Sequence, residues 1–205
     1  LCAAACTDGS SSLTVSCLLL SAAASPRVCR LSGTGVDEEY SGSEWLYVRS
    51  FELSWAKYSY LRFDLGASTI RSKLEAKGCN LRLTGATLSL MTDDVKTIPD
   101  LSWWGVRDAS WTANALAGDA YVPPLGPRLG TTYDVALGAR FALDVSDWLM
   151  NRTSAGAASV AFALTSVENT GSLKVGSSEN DDSAPALLLS YEVDACDRAD
   201  VSDWV

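Results

Sequence analysis

The stretch 60-YLRFDL-65 alternates apolar side chains with polar or aromatic ones. Successive side chains of an extended strand point to opposite faces, so Leu61, Phe63 and Leu65 share one face. Burying each of them contributes roughly 1.5–3 kcal/mol, which suits a core. The other face has two interpretations: side chains that pair with neighbouring strands and set the register, or a polar platform for sugar hydroxyls. The residues concerned are Tyr60, Arg62 and Asp64.

The same period of two recurs along the chain and predicts half-buried strands. The candidates are 45–53, 58–65, 86–91, 140–145, 158–166 and 185–193, with one further strand-like run at 13–20. A short helix is predicted over 144–153, with Ser146 as its N-cap and Trp148 and Leu149 pointing inward. The segment 92–135 contains four prolines and several glycines and is predicted to be rich in loops. Many short antiparallel strands joined by loops favour a β-sandwich.

Composition excludes several classes of function. The net charge is −9 and the chain contains no histidine. A nucleic-acid backbone or an anionic membrane surface would repel such a chain, so we expect neither partner. Hydrolases that depend on a histidine base are excluded, and the chain shows no fingerprint for a cofactor. Paired carboxylates could still serve a polysaccharide-active enzyme, but no pair stands out, and we expect a protein that is not an enzyme.

The cysteines indicate an oxidising compartment. Their even number and the lack of histidine favour disulfide bonds over zinc, and fifteen pairings are open. They are Cys2, Cys6, Cys17, Cys29, Cys79 and Cys196. The sequon at Asn151 predicts a glycosylation site and agrees with a secreted protein.

The order of several short motifs resembles the DNRLRE-domain family of extracellular, jelly-roll-like β-sandwich modules. In chain order they are KYSYLRFDL, GATLSLM, VRDASWT, ALDVSDWL, SVAFALT and VGSSENDDSAPALLLSYEV. The resemblance covers roughly residues 36–193 and implies a secreted sandwich, in some relatives a carbohydrate-binding module. One departure is that Ser177 and Ser178 precede Glu179, where the family usually has a basic residue.

The candidate ligand-binding residues are aromatic or lie beside aromatic residues. Sugar rings stack on flat aromatic faces because their C–H edges are apolar. Two adjacent tryptophans of an extended segment cannot both face one core, so one of Trp103 and Trp104 is expected to meet solvent or a partner. Both are candidate ligand-binding residues, together with Arg107 and Tyr121. We interpret Trp111 as a core or loop anchor and Trp148 as a plug at the end of the sandwich.

Acidic clusters at 37–39, 93–94 and 179–182 offer oxygen ligands for calcium. None has the spacing of a known calcium loop, and solvated loops are the favoured explanation. We therefore predict no cofactor, although a structural calcium ion is compatible with the sequence, and the metal-binding residues stay unknown.

The sequence thus predicts an all-β, jelly-roll-like antiparallel sandwich over 36–193. A disulfide-stapled extension precedes it over 1–35, and a short acidic tail follows over 194–205. The predicted function is a non-catalytic, secreted surface or matrix module that binds carbohydrate or adheres to a polysaccharide. The alternative is a structural subunit that self-associates into a filament, with the strand-like run 13–20 completing the sheet of a neighbouring copy. The plainer possibility is that this run closes an edge of its own domain.

Overall fold

The computed structural model describes residues 3–5, 12–21, 28–32, 45–50, 56–65, 80–96, 100–111, 123–133, 135–166, 171–176 and 183–194. These ranges form twelve strands and one helix. The strands are β1 (Ala3–Ala5), β2 (Ser12–Ser21), β3 (Val28–Ser32), β4 (Trp45–Ser50), β5 (Ala56–Asp64), β6 (Asn80–Lys96), β7 (Asp100–Val106), β8 (Leu125–Tyr133), β9 (Arg140–Asp144), β10 (Ser159–Ser166), β11 (Gly171–Gly176) and β12 (Ala186–Asp194). The helix α1 spans Ser146–Ser154. Its nine residues fall well short of the roughly 20 that cross a bilayer.

The strands form two sheets in which every pairing is antiparallel. Sheet A has the order β1-β2-β12-β6-β9. Sheet B has the order β11-β4-β5-β10-β7-β8, with β3 also paired to β5. The predicted antiparallel β-sandwich is therefore confirmed.

The strand β6 belongs to both sheets. Its first part pairs with β12 and β9, and its last part pairs with β11 in sheet B. The change of partner occurs at Thr92, which is buried. The Thr92 hydroxyl donates to Ala136 O at 2.6 Å and accepts from Ala139 N at 3.1 Å. These bonds satisfy backbone groups where β6 leaves one sheet for the other, as strands do at the corners of sandwiches.

The core lies between the sheets and follows the predicted alternation. Leu61, Phe63 and Leu65 are all buried in it, and Phe63 meets Phe162 edge to face, with 6.0 Å between ring centroids. Residues from the other central strands complete this core: Leu46, Val48, Leu88, Leu90, Leu101, Trp103, Val160, Leu164, Leu173, Val175, Leu187 and Leu189. The opening stretch therefore supplies the core face that its sequence predicts.

The helix α1 closes one end of the sandwich, as predicted for Trp148 and Leu149. Leu149 is fully buried, and Trp148 packs partly buried against the core. The prediction of Ser146 as N-cap is wrong, because Val145 occupies that position and Ser146 is the first helical residue. The Ser146 hydroxyl instead accepts from Ala86 N at 2.9 Å, which ties the helix to β6.

The prediction of loops over 92–135 is wrong for much of that segment. It contains the last residues of β6, all of β7 and all of β8. Two features hide these strands from a pattern search. The strand β7 carries apolar side chains on both faces, so it lacks the apolar–polar alternation of a half-buried strand. The register of β8 against β7 shifts twice, and Pro127 lies in β8, at the end of the strand order. An edge position tolerates proline because one side of the strand makes no ladder bonds.

The amino-terminal strands attach to both sheets of the same chain. β2 pairs with β12 over nine residue pairs, and β3 pairs with β5. The strand-like run at 13–20 therefore extends an edge of its own domain, and this arrangement gives no support to a donor strand for a neighbouring copy. The domain boundaries at 35 and 193 stay predictions.

Replacing Gly105 with alanine should destabilise the fold. A Cβ at Gly105 would lie 2.5–2.7 Å from three atoms of the Trp148 ring. Such overpacking typically costs about 1–3 kcal/mol in free energy of unfolding, measured by urea denaturation. Gly85→Ala is the control, because its Cβ would meet Ser190 Cβ at an ordinary 3.6 Å. In a Trp148→Leu background the cost at Gly105 should fall, and an unchanged cost there would contradict this packing.

Because of the Asp144 carboxylate, the free energy of unfolding should fall at low pH. Its pKa is lowered, first by the hydrogen bond from the Ser146 hydroxyl and second by that from Ser146 N. The unfolded chain has the ordinary value of about 3.9. The stabilising contribution is therefore complete above about pH 4 and is lost as the pH falls through the folded value.

An NMR titration of the Asp144 carboxyl carbon measures this directly. We expect a pKa below that of a model aspartate in the wild type and a value nearer the ordinary one in Ser146→Ala. Equal values in the two proteins would show that the hydroxyl does not hold the carboxylate.

Candidate functional site

The outer face of sheet B carries a second apolar cluster. It consists of side chains that alternate with the core residues on three neighbouring strands, together with two residues of the segment after β7. Its buried members are Tyr60, Val106, Ala109, Trp111, Ala161 and Ala163, with Tyr58 and Trp104 packed against them partly buried. The register aligns Trp104, Ala163 and Tyr60 in one row across β7, β10 and β5. We call this surface the outer aromatic face.

The segment after β7 folds back over this face. Asp108 Oδ1 accepts from Ser110 N at 2.8 Å, and the Ser159 hydroxyl donates to Ala109 O at 3.2 Å. Trp111 is thereby placed on the small side chains of β10 and meets Tyr60 edge to face, 6.2 Å between centroids. Trp111 is 3% exposed, which confirms it as an anchor. Tyr60 is also buried, at 1% exposed, so it cannot contribute to the polar platform for sugar hydroxyls that the sequence allowed.

Trp104 is held in a defined orientation with part of its ring exposed. Its indole N–H donates to the Thr165 hydroxyl at 2.9 Å. Arg128 of β8 lies opposite Trp104 in the register, and the ladder is irregular on both sides of this pair. Such irregularities re-aim side chains at sheet edges, often beside binding sites. A partly exposed ring next to an exposed guanidinium can stack on a sugar and donate to its hydroxyls.

Tyr58 and Arg62 extend the face along β5. Both are partly buried, and the alternation of β5 places them on the side of Tyr60. Arg62 is at the register position of Ala161, and its Nε atom is buried without a hydrogen-bond partner among the described residues. The exposed Asp64 follows on the same side. The face therefore combines two partly exposed aromatic rings, those of Tyr58 and Trp104, with charged groups.

Sheet A presents a different outer surface. Its described outward side chains are short, aliphatic or charged and include no aromatic ring: Arg82, Thr84, Thr87, Ser89, Met91, Arg140, Ala142, Asp144, Ala186, Leu188, Ser190 and Glu192. Arg82 and Glu192 form an exposed ion pair across β6 and β12. Among the described side chains, this surface therefore has no flat ring on which a sugar could stack.

The predicted ligand-binding residues Trp103 and Trp104 lie on opposite faces of sheet B. Trp103 is 0% exposed inside the core and donates its indole N–H to Thr132 Oγ1 at 2.8 Å, so its ring offers no face to a ligand. Trp104 lies on the outer aromatic face, as the alternation of adjacent residues requires. Arg107 is exposed at the end of β7, where its backbone oxygen accepts from Arg152 Nη2 at 2.8 Å. Tyr121 lies outside the described residues.

Comparison with known proteins identifies the family. The model of carbohydrate-binding module family 96 matches residues 31–191, which is more than half of the chain. The chain belongs to this family. No curated protein matches it. The family supports the expected carbohydrate-binding module, while the narrower DNRLRE assignment stays a prediction.

Some of the other predicted sites of this family 96 module lie on described residues, and others lie outside them. Asn151 is exposed on α1, and the Thr153 hydroxyl of its sequon donates to Leu149 O at 3.0 Å. The acidic clusters at 37–39 and 179–182 lie outside the described residues, whereas Asp93 is exposed at the surface. Among the residues that the structure describes, no three carboxylate or cysteine side chains come together as a metal ion requires. Glycosylation at Asn151 stays a prediction.

Tyr58 belongs to the candidate site but is not among the predicted ligand-binding residues. A signal was available, since Tyr58 lies two residues before Tyr60 and shares its face by the same alternation. No such signal was available for Arg128, because the proline and glycines around it do not follow the alternation that predicts a strand.

The two adjacent tryptophans should differ in their effect on stability. Trp103→Ala removes a fully buried ring and should cost about 3–5 kcal/mol in free energy of unfolding. Trp104→Ala should cost about 1–2 kcal/mol, because its ring is partly in water already. Urea denaturation of both variants measures the difference. Equal costs would contradict the opposite facing of the two rings.

Proposed function

We propose that this protein is a non-catalytic module that binds a polysaccharide on the outer aromatic face of sheet B. The observation that carries the proposal is the partly exposed ring of Trp104, fixed through its N–H to Thr165 beside an exposed arginine. Membership in a carbohydrate-binding family supports the class of ligand. Sheet A, whose described outer side chains lack aromatic rings, offers no comparable surface.

The chemistry of the face suits a sugar chain. The rings of Trp104 and Tyr58 provide apolar planes for the C–H edges of pyranose rings. Arg128 and Arg62 provide guanidinium donors for hydroxyl oxygens, and Asp64 provides an acceptor. Because Trp104 is held by a hydrogen bond to a strand of the sheet, little side-chain entropy is lost when the ligand binds.

The setting of this activity is outside the cell. Six cysteines in a chain without histidine, together with the sequon at Asn151, favour an oxidising, secretory compartment. In that compartment the protein would attach to a polysaccharide surface or matrix, as a module on its own or as part of a larger protein.

Substitution at Trp104 tests the site. Binding to polysaccharides is first located on a glycan array and then measured by affinity electrophoresis in gels that contain the bound glycan. Trp104→Ala should lose about 2 kcal/mol or more of binding free energy, roughly thirtyfold in affinity, as expected for a central aromatic contact. Trp104→Phe keeps a flat ring and should lose less.

The matched control is on the opposite sheet. Arg140→Ala removes an exposed arginine from the outer surface of sheet A and should leave affinity unchanged, whereas Arg128→Ala should weaken it. Full binding by a Trp104→Ala/Tyr58→Ala double variant would move the site away from sheet B. Failure of the wild type to bind any polysaccharide would overturn the proposed function.

A further inference from the structure

Among the aromatic side chains that the structure describes, Tyr133 alone lies largely in water. It ends β8 and is 65% exposed, whereas the rings of Tyr58 and Trp104 are only partly exposed. A flat ring in water can stack on the apolar edge of a sugar. Whether Tyr133 can take part in the proposed site depends on which face of sheet B it occupies.

The register of β8 against β7 places Tyr133 on the outer face of sheet B. The pairing is regular here, from Asp100 with Tyr133 to Trp103 with Gly130. Thr132 points into the core, because its hydroxyl accepts from the buried indole N–H of Trp103 at 2.8 Å. Side chains alternate along a strand, so the next residue, Tyr133, points outward. Tyr133 therefore lies on the same side of the sheet as the outer aromatic face.

Arg128 lies between Trp104 and Tyr133 on this side. It is opposite Trp104 in the register, and its guanidinium donates to the hydroxyl of Thr131, two residues before Tyr133. This hydrogen bond turns the exposed guanidinium toward the end of β8 at which Tyr133 lies. A guanidinium has several N–H donors, so it can bond to Thr131 and to a ligand at the same time.

The rings of Trp104 and Tyr133 are too far apart for one sugar unit to stack on both. The Trp104 N–H is held at Thr165 of β10, so this ring leans away from β8. Tyr133 is two strands across from Thr165 and two residues further along, which places their Cα atoms about 12 Å apart. A single pyranose ring does not span this distance, whereas a short chain of linked units does.

We propose that Tyr133 is a second stacking position, so that Trp104 and Tyr133 contact different sugar units of one polysaccharide chain. The Arg128 guanidinium donates to hydroxyls of the units between them. This inference rests on the proposed function, because it takes the outer aromatic face as the binding surface. It adds a requirement on the ligand: the sugar chain must continue from the unit on Trp104 toward the edge strand β8.

Oligosaccharides of graded length test this position. They are prepared, from the disaccharide to the hexasaccharide, from the polysaccharide that the glycan array identifies, and NMR titration measures their affinities. For the wild type we expect the affinity to rise with length. Tyr133→Ala should weaken binding of the hexasaccharide roughly fivefold, as expected for one exposed aromatic contact, and should leave binding of the disaccharide unchanged. Trp104→Ala should weaken both.

Matched variants separate stacking from a structural role. Tyr133→Phe keeps the flat ring and should bind the hexasaccharide as the wild type does. Tyr133→Leu keeps apolar bulk without a plane and should behave like Tyr133→Ala. Leu137→Ala removes another exposed apolar side chain, in the turn between β8 and β9, and should change nothing. Urea denaturation should give these variants nearly wild-type stability, since both side chains are largely in water.

The outcomes distinguish this inference from the proposed function. If Tyr133→Ala binds the hexasaccharide as tightly as the wild type, Tyr133 is not a stacking position, and the site at Trp104 stands. An affinity of the wild type that does not rise with chain length also overturns this inference alone. If the wild type binds no polysaccharide, the proposed function fails and this inference fails with it.

Discussion

The double pairing of β6 is the constraint on which the sandwich depends. A single strand of seventeen residues carries β12 and β9 at one end and β11 at the other, so it fixes where the two sheets lie relative to each other. The transition is specified locally by Thr92, whose buried hydroxyl bonds to the backbone of the segment before β9. Thr92 N also donates to Ala139 O at 3.0 Å, so both the backbone and the side chain of Thr92 tie β6 to this segment and the hydroxyl has a structural role.

From this arrangement the two faces of sheet B acquire different roles. Alternation along β7 sends Trp103 into the core and Trp104 to the outside, although the two residues are adjacent and chemically identical. Inside, Trp103 meets Phe141 edge to face with 5.5 Å between centroids. Outside, Trp104 bonds to Thr165 across the sheet. The same rule of period two that builds the core therefore also builds the outer aromatic face.

The sequence predicts the structural features that depend on alternation within one strand. It does not predict the features that depend on neighbouring strands. The core face of β5 follows from six residues, and the helix α1 follows from a start signal near Ser146 and the apolar pair Trp148 and Leu149. The strand β7 escapes prediction because both of its faces carry apolar side chains. The strand β8 escapes prediction because irregular register and Pro127 break its pattern, and the sequence cannot show that Pro127 lies on an edge. The covering of Tyr60 by Trp111 was also beyond prediction, since a segment that folds back over its own sheet is a tertiary contact without a local signal.

The outer aromatic face is filled, and this determines how a sugar would contact it. The small side chains Ala161 and Ala163 would leave a trough along β10, but Trp111 and Tyr60 pack into it. Trp104 leans toward β10 as well, because its N–H reaches Thr165. The part of this face that meets solvent therefore consists of fixed aromatic rings, with buried side chains packed beneath them. A ligand on such a surface is held by stacking and by charged groups at the margin, which suits an extended chain of sugar units lying along the sheet.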